Sequence, residues 1–180
     1  MKNLIKAITA TCLVLFTVVN ISTAKNNSIV TIYSENTSST FDKIYESYFQ
    51  LKDALVASNT EMAKEKANEL NALVAAMQTM NMSPEIKSSW TKVSKSLSEN
   101  VEKIAKAKAI NEQRTHFAAL STNVYDLIKS DKTSTTMYYA YCPMANKGKG
   151  GSWLSLEKDI KNPFYGQSML KCGSVKETIN

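Results

Sequence analysis

Two pairs of sulfur-bearing residues stand near the end of the chain. Cys142-Pro143-Met144 is a C-x-M, and Met169-Leu170-Lys171-Cys172 is an M-x-x-C followed at once by Gly173. Thiolates and thioethers are soft ligands and select soft ions: Cu(I) first, with Ag(I) by the same chemistry. In C-x-M a bent backbone turns both side chains toward one ion, and Pro143 restricts that backbone. In M-x-x-C a turn brings residues i and i+3 to one side, and Gly173 relaxes the exit. Zinc is disfavoured, because thioether is a poor zinc ligand and only one histidine exists. Ca²⁺ or Mg²⁺ would want clustered carboxylates, and none cluster here.

His116 is the fifth candidate ligand. It adjoins Phe117 in a helical stripe, so it falls near the edge of a buried face. A C-terminal segment folded back across that helix would let His116 complete a Cys/Met/His site. Without that fold-back it is an ordinary helix histidine. Met77, Met80 and Met82 form an M-x-x-M-x-M run. A second soft-metal site is conceivable there, but flexible core filler is the favoured reading.

The rival chemistry for Cys142 and Cys172 is a disulfide. They lie 30 positions apart, and closing such a loop stabilises a fold by roughly 3–4 kcal/mol. A disulfide gives no reason for a methionine beside each cysteine, which tilts the reading toward metal. The two states need not exclude each other, since a reduced chain could hold the ion and an oxidised one the bond.

Compartment follows from the first residues. Met1–Lys6 carries two lysines, Ala7 to Ile21 is mostly apolar, and Ser22-Thr23-Ala24 offers small residues for a cut after Ala24. This is the pattern of a signal peptide over residues 1–24. Cleavage removes Lys2, Lys6 and Cys12, leaving 20 basic against 16 acidic residues, a net charge of +4. The Lys/Asn-rich, Arg-poor composition suits a bacterial source, and hence a periplasmic protein with no stable membrane insertion once the signal is cut. Nucleic acid is a poor partner: 21 of the 22 basic residues are lysines, and Arg114 is the lone arginine. Phosphates and base edges favour the arginine fork. No CxxC, GxSxG or Gly-rich phosphate loop occurs, so no enzyme class is indicated.

The elements that must position the sulfurs are helical. Residues 25–38 are polar and Ser/Asn/Thr-rich and read as a flexible leader. A single domain follows over 39–180. Its first stripe is Phe41, Ile44, Tyr45, Tyr48, Leu51 and Leu55. The second is Ala63, Ala67, Leu70, Val74 and Met77, after caps in Ser58-Asn59-Thr60-Glu61. Ser83-Pro84-Glu85 starts the third, which holds Ile86, Trp90, Val93, Leu97, Val101 and Ile104. The fourth is Ile110, Phe117, Leu120, Val124 and Leu127. No glycine precedes Gly148, so tight β-turns are scarce before it. The expected fold is all-α, an antiparallel four-helix bundle. An irregular C-terminal Cys/Met segment, 135–180, packs on it with room for one short β-hairpin. Thr135–Tyr141 reads as its strand, and from Pro143 the chain reads as loop. The lysines read as a solvated face.

These residues also carry a resemblance. Tyr141-Cys142-Pro143-Met144, Gly151-Ser152-Trp153-Leu154-Ser155, Ile160-Lys161-Asn162-Pro163-Phe164-Tyr165-Gly166, Met169-Leu170-Lys171-Cys172-Gly173 and Val175 resemble an uncharacterised bacterial periplasmic domain family of Bacteroidetes type. Gln113-Arg114-Thr115-His116-Phe117 and Leu120-Ser121 resemble its helical part. The family occurs alone or fused to the periplasmic adaptor subunits of heavy-metal (copper/silver) efflux pumps. The likeness spans roughly residues 40–178. Two departures, the Phe164-Tyr165 order and a glycine-richer stretch before Trp153, touch no sulfur. The resemblance implies a helical domain that handles Cu(I) or Ag(I). By position, Cys142, Met144, Met169 and Cys172 match its sulfurs and His116 a position where histidine is expected.

The expectation is therefore an exported, non-enzymatic protein of copper homeostasis. It would buffer periplasmic copper or deliver it to an efflux adaptor. The alternative is a structural or interaction protein stapled by a Cys142–Cys172 disulfide, without metal.

Overall fold

Four amphipathic stripes become four helices in the computed structural model, which describes residues 25–131 and 135–180. The expected signal peptide, residues 1–24, lies outside the described residues. Helix α1 spans Lys25–Val56, α2 Thr60–Gln78, α3 Pro84–Lys106 and α4 Ile110–Asp131. Helix α1 thus includes residues 25–38, for which the composition suggests a flexible leader. Polar composition lowers helix propensity without forbidding the helix.

The helix ends follow local chemistry. Asn59 caps α2, its side chain accepting from the Met62 N–H at 3.0 Å. Ser83 caps α3 and Pro84 fills the first helical position, where a missing N–H costs nothing. Helix α1 packs on α2, α2 on α3 and α3 on α4. The stripe residues from Phe41 to Leu127 meet in one core, with Tyr48, Leu51, Leu70, Leu97 and Phe117 fully buried. Each such side chain contributes about 1.5–3 kcal/mol. Ile86 and Ile110, the first residues of their stripes, are only half-buried. Lys52 departs from the solvated lysine face: it is 3% exposed and pairs with Asp53 at 2.7 Å.

After α4 the chain builds a sheet rather than one hairpin. Strands β1 (Met137–Cys142), β2 (Gly151–Ser155) and β3 (Ser174–Ile179) are antiparallel in the order β2-β1-β3. The fold is therefore mostly helical with a small C-terminal sheet, not all-α. The reason lies in β1, whose Tyr138, Tyr139 and Tyr141 suit a pleated surface. Both of its edges are paired, by β2 and β3, each later in the chain. A bulge between Tyr139 and Ala140 shifts the register toward β3.

The sheet is fastened to the helices at three points. The Leu154 N–H of β2 donates to the Tyr48 hydroxyl at 3.0 Å, and that hydroxyl pairs with Ser121 Oγ at 2.8 Å. Trp153, Phe164 and Phe117 form a ring ladder with centroid spacings of 6.0 Å. Glu177 of β3 accepts from Tyr125 and Lys129 of α4, both at 2.6 Å. Among the described residues, no helix is long and apolar enough to cross a membrane.

Candidate metal centre

The sheet register creates the site. Cys142 ends β1 opposite Gly151, and Tyr141 stands opposite Ser174. This pairing carries Gly173 and Cys172 alongside Cys142. The two Sγ atoms are 2.7 Å apart, both as free thiols, with Cys142 buried and Cys172 half-buried. The pair expected from the sequence is thus brought together.

Each sulfur sits in a distinct setting. Cys142 has no exposed surface and belongs to the core. Cys172 faces the Met144 backbone N–H, which donates to its sulfur. The thiol pKa of Cys172 is nevertheless raised. Its hydrogen bond with Cys142 is the largest cause, with burial next, and the Met144 N–H acts the other way. One sulfur hydrogen-bonded to another gives up its proton less readily.

Two loops hold this corner. The first runs through Ala145–Gly148, one turn in which Asn146 and Lys147 are left-handed (φ 51° and 59°). The Met144 carbonyl accepts from the Gly148 N–H at 3.1 Å and the Tyr165 hydroxyl at 2.6 Å. The second loop carries Asn162, which is fully buried. Its side-chain amide donates to the Cys172 carbonyl at 2.7 Å and its oxygen accepts from the Phe164 N–H at 2.8 Å. The Cys172 N–H then donates to the Met169 carbonyl at 3.0 Å. Gly173 has φ +133°, and a Cβ there would stand 2.8 Å from the Trp153 ring. Only glycine lets β3 leave Cys172 along this path.

The thioether residues differ. Met144 is exposed, at 54%, with its backbone against Cys172. Met169 is half-buried and joined to Cys172 through its carbonyl. His116 is half-buried on α4. Burial lowers its pKa most, Lys103 of α3 adds to this, and Glu112 opposes it. Among the described residues, no three or more His, Cys, Asp or Glu gather so as to hold a metal. His116, Cys142 and Cys172 therefore do not form such a group, and a soft-ion site here would rest on thiols and thioethers. Met77 is core, while Met80 and Met82 pack half-buried against it and line a groove beside Trp90.

Sequence reasoning missed Asn162 and Tyr165 as the residues that hold the corner. Their signal was the Asn162-Pro163 turn, read as loop only. It also missed Arg114 as a joint. Its guanidinium donates to the Pro163 carbonyl at 2.8 Å, the Leu55 carbonyl at 3.0 Å and Ser58 Oγ at 2.8 Å. A planar fork with several donors suits three acceptors on two segments.

A family model described as "Protein of unknown function (DUF3347)" matches residues 44–136. The chain belongs to this family. The DUF3347 match runs from Ile44 within α1 through α4 and ends before β1. The sulfur corner thus lies wholly outside the matched residues, and membership speaks for the helical part alone. No curated protein matches the chain, and neither does any solved structure.

Proposed function

We propose that this protein is an exported binder of Cu(I), with Ag(I) taken by the same chemistry. The observation that carries the reading is the approach of Cys142 and Cys172 with Met144 and Met169 on the same two loops. Two thiolates supply charge and two neutral thioethers complete a soft ligand set. A soft ion between thiolates needs metal–sulfur bonds of about 2.3 Å, so the sulfurs must open from their present contact. Cys172 is the sulfur free to move, since it is half-buried at a loop end while Cys142 is fixed in β1. The exposed Met144 thioether gives an incoming or departing ion a first foothold. His116 is left out of the ligand set.

In this reading α1–α4 run as an antiparallel bundle, and the protein acts by binding rather than by catalysis. After cleavage of the signal near Ala24 it works in the periplasm. It buffers copper there or passes it to the adaptor subunit of an efflux pump. Copper is cargo, so the site needs a partly open sulfur, which a loop supplies and a helical core does not.

Titration of the reduced mature protein with Cu(I) against a chromophoric chelator tests this. Competition at one equivalent supports the proposal, and an unaltered chelator spectrum overturns it. Affinity unchanged in the Met144→Ile, Met169→Ile pair would remove the thioethers from the site.

The second reading is a Cys142–Cys172 disulfide that staples β1 to the segment leading into β3. The 2.7 Å approach of the sulfurs favours it. Counting free thiols after export, with and without copper, separates the two. Two protected thiols released by a chelator mean metal; two thiols seen only after reduction mean the staple.

A further inference from the structure

The lysines around the sulfur corner are not distributed like those elsewhere. The segment from Met137 onward holds six lysines and three acids. Each of its acids lies beside a cation. Glu157 pairs with Lys161, Asp159 lies near the same lysine, and Glu177 is held by Lys129 and Tyr125. Lys147, Lys149, Lys171 and Lys176 are exposed, and among the described residues none of them forms an ion pair. Lys171 lies within electrostatic reach of Glu157, whose bonded partner is Lys161.

Their positions follow the corner's rim. Lys171 directly precedes Cys172. Lys147 and Lys149 sit on the turn whose Met144 N–H meets the Cys172 sulfur. Lys176 lies 5.8 Å from the centre of the Tyr141 ring, and Tyr141 precedes Cys142. That ring covers Gly150, which follows Lys149: a Cβ at Gly150 would fall 2.2 Å from the Tyr141 hydroxyl. Beside Lys147 a cleft is lined by Arg114, Thr115, Asn146 and Tyr165. Lys171, Lys147 and Lys149 therefore flank the half-buried thiol, while Lys176 lies with Tyr141 on the other face of β1.

We infer that this rim docks an acidic protein surface over the sulfur corner, placing Cys172 and Met144 at the point where the ion is exchanged. The inference rests on the soft-metal reading above. Lysine suits this role because it is a mobile point charge that steers an encounter without fixing bidentate geometry. Such a contact raises the association rate and still releases the partner. A ligand corner with a net negative dithiolate would otherwise repel an acidic acceptor, and Lys147, Lys149 and Lys171 beside it oppose that charge.

The test uses the mature, reduced full chain and a Glu-rich peptide bearing a fluorophore, with no metal added. Binding should weaken by about tenfold or more between low and physiological salt, as steered contacts do. The Lys147→Glu, Lys149→Glu, Lys171→Glu variant should abolish it, while Lys64→Glu, Lys92→Glu, Lys95→Glu on α2 and α3 should leave it unchanged. A parallel transfer of Ag(I) from the loaded protein to a polyanionic chelator should slow by a similar factor in the rim variant. Transfer to a neutral chelator should not. Equal peptide binding by both triple variants overturns the proposal. So does binding to vesicles rich in phosphatidylglycerol with none to the peptide. Failure of the loaded protein to form, with peptide binding intact, would instead overturn the metal reading and leave the rim standing.

Discussion

The buried Asn162 amide holds the Cys172 carbonyl at 2.7 Å, so one uncharged side chain sets where the second sulfur lies. The same side chain accepts from the Phe164 N–H. Asn162→Leu leaves both backbone groups without partners in a dry setting. Each costs about 1–3 kcal/mol. We expect a loss of about 2–4 kcal/mol in urea unfolding, together with weaker copper competition. Unchanged stability would mean that water or a backbone shift replaces both bonds.

The raised pKa of Cys172 fixes the direction of pH dependence for the proposed metal site. In the proposed site the ion binds thiolate, so binding would expel the proton that Cys142 helps retain. Cu(I) affinity should therefore rise with pH across the neutral range. The slope should be about tenfold per pH unit for each proton released. Competition titrations at three pH values read this slope. A flat profile would show that the thiols are already ionised, or are not the ligands.

Tyr48 joins α1, α4 and β2 through one hydroxyl. Burial raises its pKa far above the ordinary phenol value, so it stays neutral and able to donate. Tyr48→Phe strands the Leu154 N–H and should cost about 1–3 kcal/mol. Because β2 borders β1, hydrogen exchange should speed up at Trp153 and Leu154 before it does in α2. Uniform acceleration throughout would assign Tyr48 to the general core instead.

Glu177 has its pKa lowered, first by Lys129 and then by Tyr125. Its contribution is present above the unfolded carboxylate value of 4.5 and fades as pH falls through the lower folded value. The wild type should therefore lose stability on acidification that Glu177→Gln lacks, with the two curves converging at the acid end. Tyr125, raised to about 12 chiefly by the same hydrogen bond, should titrate earlier in that variant. Phenolate absorbance on alkaline titration reads the second effect.

What could be read from residues alone was governed by periodicity. The α2 stripe of Ala63, Ala67, Leu70, Val74 and Met77 coincides with its buried set, because 3.6-residue spacing records burial directly. Ser83-Pro84 likewise marked its helix start by local chemistry. The sheet was harder. Only β1 announced itself, as a β-branched and aromatic run. Strand β3 does alternate, with Val175, Glu177 and Ile179 on the inner side, but a charge at its centre hides the pattern. That charge is satisfied by Tyr125 and Lys129, far away in sequence. The cysteine pairing was legible as a possibility because the residue types are few. Its supports, Asn162 and the Tyr165 hydroxyl, were not, since they act through backbone groups that the sequence does not display. Lys52 shows the same limit: nothing in its neighbours foretells a buried ammonium.

The strand order β2-β1-β3 has a consequence for the timing of assembly. Cys142 emerges early in the sheet-forming segment, but Cys172 is placed beside it only when β3 pairs with β1. A chain threaded N-terminus first across a membrane would carry an unpaired Cys142 until β3 had passed. During that interval the thiol would be open to any oxidant or stray metal ion. In the exported chain proposed above, pairing of β3 with β1 would close that window, so the sulfur corner would form only when the sheet is complete.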